Sequence, residues 1–210
     1  MEIVLEIWGD FACFTRPEAK VERLTYPVPT PSAMRGVLSA IYSKPNEFYW
    51  QINKIEVLQP LRYISFKRNE VKKVISKTPI LVEDERTQRQ TVALKDVHYR
   101  VTATIVMRQN FSGSLTQLYE QANRRIANGK CFFQPSLGCR EFVCYFRISD
   151  GLKKPINLDL DLGYMLYDVF DLHNYEVADK ANPHVSVFHA KLQQGVLCVP
   201  DYDSALVLKP

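Results

Sequence analysis

The chain has 210 residues, 46% of them apolar, 24% charged, with a formal net charge of +4. That suits one medium domain, or a main domain with a small appendage, and no stretch approaches the roughly 20 apolar residues needed to span a bilayer. Glu2 and Glu6 break the only apolar run at the N-terminus, which argues against a signal peptide, and an odd five cysteines without CxxC spacing fit reduced, buried thiols in a cytosolic protein rather than disulfides or zinc.

Residues 2–8 carry Ile3, Val4, Leu5, Ile7 and Trp8 and read as a buried strand ended by Gly9-Asp10. Pro27, Pro29 and Pro31 then punctuate a loop, with Thr30 placed as an N-cap and Pro31 at the first helical position. Met34, Val37, Leu38 and Ile41 follow at helical spacing, and Lys44-Pro45 ends that helix just after Tyr42. Ile52, Ile55, Val57 and Leu58 mark a second strand over residues 50–60. Residues 61–76 and 91–108 read as two long strands, joined by a polar connection through Lys77-Thr78-Pro79 and Glu83-Asp84-Glu85-Arg86. Ser114 to Asn128 reads as a helix with Leu115, Leu118, Ala122 and Ile126 on one face, stopped by Gly129. Leu137 to Ile148 carries another strand. Beyond Asp150-Gly151 come a helix-like segment, Gly163–Phe170, and late strands at 184–189 and 195–199.

This order of strand, helix, strand, strand, helix, strand predicts an α+β, ferredoxin-like (RRM-like) domain over residues 1–150 with an extended β-hairpin. Residues 151–210 are expected to form a small C-terminal β appendage rather than a separately folding unit. Charge is distributed unevenly: residues 61–147 carry sixteen basic and seven acidic side chains, while residues 148–210 carry five basic and nine acidic. The central region is thus a candidate polyanion surface. Its interleaved rings, Tyr63, Phe66, Tyr99, Phe111, Phe132 and Phe133, favour unpaired RNA bases, on which aromatic side chains stack. A solvated hairpin rich in Lys and Arg is the alternative.

Pro135-Ser136-Leu137-Gly138-Cys139-Arg140-Glu141-Phe142 sets a glycine turn, a guanidinium and a ring side by side, just after Arg124, Arg125 and Lys130. Gly138 would let a backbone turn approach a ligand, and Arg140 would offer planar donors to a phosphate. Together with Glu6–Ala12, Tyr26–Gly36, Leu94–Arg100, Asp159–Asp168 and Gln194–Pro200, this octamer resembles the CRISPR-associated Cas-five family of the RAMP superfamily, in its type I-C (Dvulg) branch. The five further blocks run in order along nearly the whole chain.

That resemblance implies an endoribonuclease that cuts precursor CRISPR RNA within the repeat, without metal or other cofactor, through attack of the RNA's own 2′-hydroxyl. It further implies that the protein keeps the 5′ handle of the mature guide RNA in a cytoplasmic interference complex, beside the backbone and large subunits, with possible DNA binding and no membrane. The family's tyrosine corresponds to Tyr42 of Ile-Tyr-x-Lys-Pro, and its lysine to Lys95 of the Leu-Lys strand. Where the family has a histidine directly after that lysine, this chain has Asp96, and the nearest histidine is His98. Strand alternation puts Asp96 and His98 on one face and Lys95 on the other. Arg124, Arg125, Lys130, Gly138 and Arg140 are the expected RNA contacts. A non-catalytic guide-RNA subunit is the alternative function. Tyr42 capping the core, Lys95 and Asp96 as an exposed pair, and His98 satisfied on a sheet face are the structural readings of the same residues. Asp159, Asp161, Asp168 and Asp171 could attract a divalent ion, though the expectation is that they cap the helix after Leu162.

Overall fold

A computed structural model describes residues 1–19, 21–74, 79–174 and 183–210; Lys77 and Thr78 of the expected hairpin connection lie outside them. The chain is α+β, dominated by a single antiparallel sheet. β1 (Ile3–Ala12) is followed by α1 (Pro31–Ile41), β2 (Phe48–Val57), β3 (Tyr63–Val71) and the very long β4 (Arg86–Met107). Then come α2 (Leu115–Ala127), β5 (Tyr145–Ile148), β6 (Leu160–Asp168), β7 (Ser186–Gln193), β8 (Val196–Cys198) and β9 (Val207–Leu208). The sheet runs β5-β1-β4-β2-β8-β7-β6, with β3 paired to β4 and β9 to β7.

Both helices begin as their sequences dictate. The Thr30 hydroxyl accepts from the Ala33 N–H at 3.2 Å with Pro31 inside the first turn, and Ser114 accepts from the Gln117 N–H. Their apolar stripes, Met34, Val37, Leu38 and Ile41 on α1 and Leu118, Ala122 and Ile126 on α2, are buried against Ile3, Leu5 and Ile7 of β1 in one core. Strand alternation turns Val4, Glu6 and Trp8 to the opposite face.

Three sequence expectations are corrected. β1 does not stop at Gly9-Asp10. Its pairing to β4 continues through Gly9 with Val97, Phe11 with Lys95 and Ala12 with Leu94, because Gly9 packs where a Cβ would meet the Val143 carbonyl at 2.6 Å. Only Tyr145–Ile148 of the expected 137–148 strand is a strand; Ser136 and Val143 form an isolated bridge around a turn. Gly163–Phe170 is no helix, since Leu160–Asp168 is strand β6. Gly163 is left-handed at φ +66°, and the register to β7 shifts on either side of it. That extra residue breaks the alternation and leaves Leu162, Met165 and Leu166 at a spacing that imitates a helix.

β2 and β3 lie end to end along the same edge of β4. Val57 pairs with Tyr99 and Tyr63 with Leu94, while β1 occupies the other edge as far as Leu94. Beyond Leu94 the β3–β4 ribbon projects from the sheet. At the far side, β8 joins β2 through Lys54–Cys198 and Glu56–Val196, so residues 151–210 extend the same sheet.

Candidate functional site

The first candidate centre is where α1 ends. Tyr42 leaves the helix in extended conformation, its N–H still donating to the Leu38 carbonyl at 2.8 Å. Its ring packs on Phe48 with centroids 5.4 Å apart, and its carbonyl accepts from Trp50 Nε1. The residue is 1% exposed, and the phenol donates to Gln121 Oε1 at 3.4 Å, a length at which a hydrogen bond is weak. Burial pushes the phenol above its ordinary pKa, opposed by the Lys44 charge, so it stays protonated at neutral pH. Arg125 Nε donates to the Ile41 carbonyl at 2.7 Å and its guanidinium lies 4.2 Å over the Phe132 ring. Arg124, Lys130, Phe132 and Phe133 are exposed around it. Tyr42 and the 124–130 basic cluster therefore share one end of the molecule.

Lys95 is at the other end. Phe48 pairs with Met107, twelve residues along β4 from Lys95, on the order of 40 Å for an extended strand. Lys95 is exposed, and its N–H donates to the Arg62 carbonyl. Asp96 is left-handed at φ +54°, with its carboxylate 3.5 Å from Arg62. Gly138 is nearby. A Cβ there would sit 2.0 Å from the Cys13 carbonyl, and the Cys13 N–H donates to Leu137, so the glycine admits the backbone of the strand end. Arg140 is exposed beside it, whereas Glu141 pairs with Arg23 and, at 2.6 Å, with Arg68 of the hairpin.

His98 belongs to a third group, on the sheet face away from the helices. Two rows cross β5, β1 and β4: Tyr145–Trp8–His98 and Arg147–Glu6–Arg100. Glu6 has no exposure, and it accepts from Arg147 (2.8 Å), Ser149 (3.0 Å) and Arg100 (3.3 Å). Burial alone would raise its pKa; those three donors outweigh it and bring the carboxyl down to about 2. His98 Nε2 faces Glu6 Oε2 at 3.3 Å, and Nδ1 faces Lys153 Nζ at 3.2 Å. Burial first, then the Lys153 charge, push its pKa down against the pull of Glu6. The neutral ring thus accepts from Lys153 at Nδ1 and donates from Nε2 to Glu6. Both ring nitrogens are thus committed within the protein.

Tyr42, Lys95 and His98 are therefore not assembled into one centre. The tyrosine is in the core-facing layer at one end, the lysine is on the rim at the other, and the histidine is wired into a buried charge network. Sequence reading missed Trp8, Tyr145, Arg147 and Lys153. The first three were signalled by Glu6-x-Trp8, His98-x-Arg100 and Tyr145-x-Arg147, each an i, i+2 pair putting a ring and a charge on one strand face. Lys153, from a loop, had no signal. The four aspartates are each engaged within the protein: Asp168 with Arg35 at 2.7 Å, Asp161 with the Gly163 N–H, Asp159 with the Gln194 N–H, and Asp171 with the His173 N–H and Tyr202 hydroxyl. Among the described residues no His, Cys, Asp and Glu group of three or more is arranged to hold a metal ion.

A mostly antiparallel α+β sheet bearing basic and aromatic surfaces is the class of protein described so far. The chain matches, over residues 2–200, the family described as CRISPR-associated protein (Cas_Cas5), and it belongs to that family. A relative named CRISPR pre-crRNA endoribonuclease Cas5d, from Thermus thermophilus, is 42% identical over 207 residues, covering 93% of this chain and 90% of its own. One of the same name from Mannheimia succiniciproducens is 41% identical over 224 residues, covering 95% of each. Solved structures share the fold at low identity. A CRISPR-associated protein superposes with a TM-score of 0.70 at 19% identity, over 99% of this chain and 96% of that one. A functionally uncharacterized protein from Streptococcus mutans gives 0.69 at 20%, over 99% and 97%.

Proposed function

We propose that this chain is a type I-C precursor-CRISPR-RNA endoribonuclease that cuts within the repeat and then holds the 5′ handle of the guide in a cytoplasmic interference complex with the backbone and large subunits. The observation that carries this reading is the end-to-end likeness, above 40% identity, to two relatives bearing that name. A ferredoxin-like plan for residues 1–150 is part of it, supported by the order β5-β1-β4-β2 with α1 after β1 and α2 after β4.

The reaction needs no metal in this reading. The 2′-hydroxyl of one nucleotide attacks the adjacent phosphorus and loses its proton, and the bond to the 5′ oxygen breaks. That oxygen takes up a proton, leaving a 2′,3′-cyclic phosphate and a 5′-hydroxyl. Of the expected set, Tyr42 is the residue best supported for the reacting phosphate, because Lys44, itself paired with Glu47, and Arg125 are near it and the 124–130 cluster surrounds it. A protonated phenol serves there as a hydrogen-bond donor and orienting group rather than a base. It meets the phosphate once Gln121 turns aside. Lys95 and Arg140 then track RNA at the other end, and His98 acts through Lys153.

A non-catalytic guide-RNA subunit is the second reading, favoured by the separation of Tyr42 from Lys95 and His98. Single-turnover cleavage of repeat RNA in EDTA separates the two. Tyr42→Phe is expected to keep RNA affinity and lower the rate by about 10²–10³, the cost of losing one such donor. A 2′-deoxy nucleotide at the cut site should abolish cleavage by either protein. Wild-type rate in Tyr42→Phe would remove the phenol from the mechanism, and no cleavage by the native protein would leave the structural-subunit reading.

A further inference from the structure

On the sheet face opposite the helices, a cavity of about 370 Å³ is lined by Trp8, Asp10, Gln59, Asp96, His98, Arg147 and Lys153, with Gly9 and Val97 as backbone floor. None of these residues is near Tyr42. We infer that this cleft is a subsite for one unpaired nucleotide of the RNA, with the base stacked on Trp8 and its phosphate held by Lys153 and Arg147. The inference rests on RNA being the substrate, and it adds a contact remote from the proposed reaction centre.

Trp8 is the platform. Tyr145 stacks beside it at 6.0 Å and 26°, the Arg147 guanidinium is 5.9 Å from its ring, and the His98 ring closes one side at 5.9 Å. Flanked by these three side chains, the indole has little freedom to lose on binding. Trp8 is half-buried, and Tyr145 beside it is 52% exposed, so the outer edge of the platform is open to solvent.

The cations are set in place with donors to spare. Lys153 Nζ spends two of its three N–H groups, on Gln59 Oε1 at 2.7 Å and His98 Nδ1 at 3.2 Å. Arg147 spends Nε and Nη2 on Glu6 and Asp150. Among the described residues no partner takes the third Lys153 proton or the Arg147 Nη1 protons, which leaves a charged pair of donors for an oxyanion.

Asp10 and Asp96 also line the cleft and offset the formal charge of Lys153 and Arg147, so a single phosphate is held by the directed free donors and a closely packed run of phosphates is repelled. Its size falls at the lower end of small-ligand sites, about 300–1,000 Å³. Both features exclude a duplex groove and favour a single splayed-out nucleotide, the form in which aromatic side chains recognise RNA.

The native protein carries its own reporter, since its two tryptophans are Trp8 and Trp50 and the latter is 2% exposed in the core. The probe is a repeat RNA with a 2′-deoxy cut site, dye-labelled at the far end for anisotropy. Single-stranded probe is expected to quench tryptophan emission saturably at the concentrations where anisotropy rises, and the same RNA annealed to its complement is expected not to. Lys153→Gln, which keeps the backbone carbonyl that Arg100 uses, and Trp8→Leu are each expected to weaken binding roughly tenfold, within the range for losing one stacked or phosphate contact. Trp8→Leu should also abolish quenching. Binding seen by anisotropy with Trp8 emission unmoved, quenching by the annealed duplex, or wild-type affinity in both variants would overturn the subsite. Quenching without cleavage of an all-ribose RNA would sink the endoribonuclease reading and leave the subsite standing; cleavage without quenching would do the reverse.

Discussion

Glu6 is fully buried between two arginines that arrive from 94 and 141 residues further along the chain. Replacing it with Gln removes the anion that Arg100 and Arg147 share, leaving Arg100 with Glu56 at 3.5 Å and Arg147 with Asp150 at 3.3 Å. Such one-sided breaks of buried pairs cost about 3–5 kcal/mol, so Glu6→Gln should show a clearly lower denaturant midpoint. The pH dependence follows from the same group. Its carboxyl is lowered in the fold to about 2 from an ordinary 4.5, so the native state favours the ionised form. The stabilisation, about 3 kcal/mol from that shift, is present above pH 4.5 and lost as pH falls toward 2. The Gln variant should lack this acid limb, and a parallel loss of stability in both proteins would count against the network. In the sequence Glu6 is legible only as a charge interrupting an apolar strand. Its partners depend on pairings between β1, β4 and β5 that no local pattern encodes, and for the same reason Lys95 and Tyr42 cannot be placed at opposite ends of β4 from spacing alone.

At the scale of elements, the helices were the readable part. Caps and a 3.6-residue stripe are local, and Pro31–Ile41 and Leu115–Ala127 fall within a residue or two of expectation. β6 was misread because its glycine bulge converts strand alternation into a helical imitation. The Gly138 turn was recognised as a turn, but its purpose was hidden, since the atom it must clear belongs to Cys13. Two penalties coincide at that position: φ is +87°, where a side chain is strained, and the added Cβ would meet backbone. Gly138→Ala should therefore lose at least about 2 kcal/mol in urea unfolding. Arg140→Ala, two residues away and exposed, should unfold like the native protein, and equal losses in the two would contradict this division of labour.

Across the whole molecule, the boundary near residue 150 separates two stretches of sequence but not two cores. β8 covers the edge of β2, the Ile156 N–H donates to the Val57 carbonyl, and the Val57 N–H donates to Gly195. A chain cut after residue 150 would expose the β2 edge and its unpaired backbone, a template for aggregation. That fragment is expected in the insoluble fraction, or as a broad aggregate in size-exclusion chromatography. A monodisperse fragment with native circular dichroism would show that residues 1–150 form an independent domain after all.

The 22-residue strand β4 passes through two different environments without a break. From Tyr99 to Ala103 it is the inner strand between β1 and β2, while from Arg86 to Thr91 its ladder partner is β3 alone. Amide hydrogen exchange should record that change along one continuous element. Protons in the inner half should exchange only through global unfolding, at rates tracking total stability. Those of the outer half should escape through opening of the ribbon, with protection insensitive to core mutations such as Glu6→Gln. A strand that is one object in space would thus be two in time: an anchored root, and an arm, tied to the body by side-chain pairs such as Arg68 with Glu141, that opens while the fold beneath it stays closed.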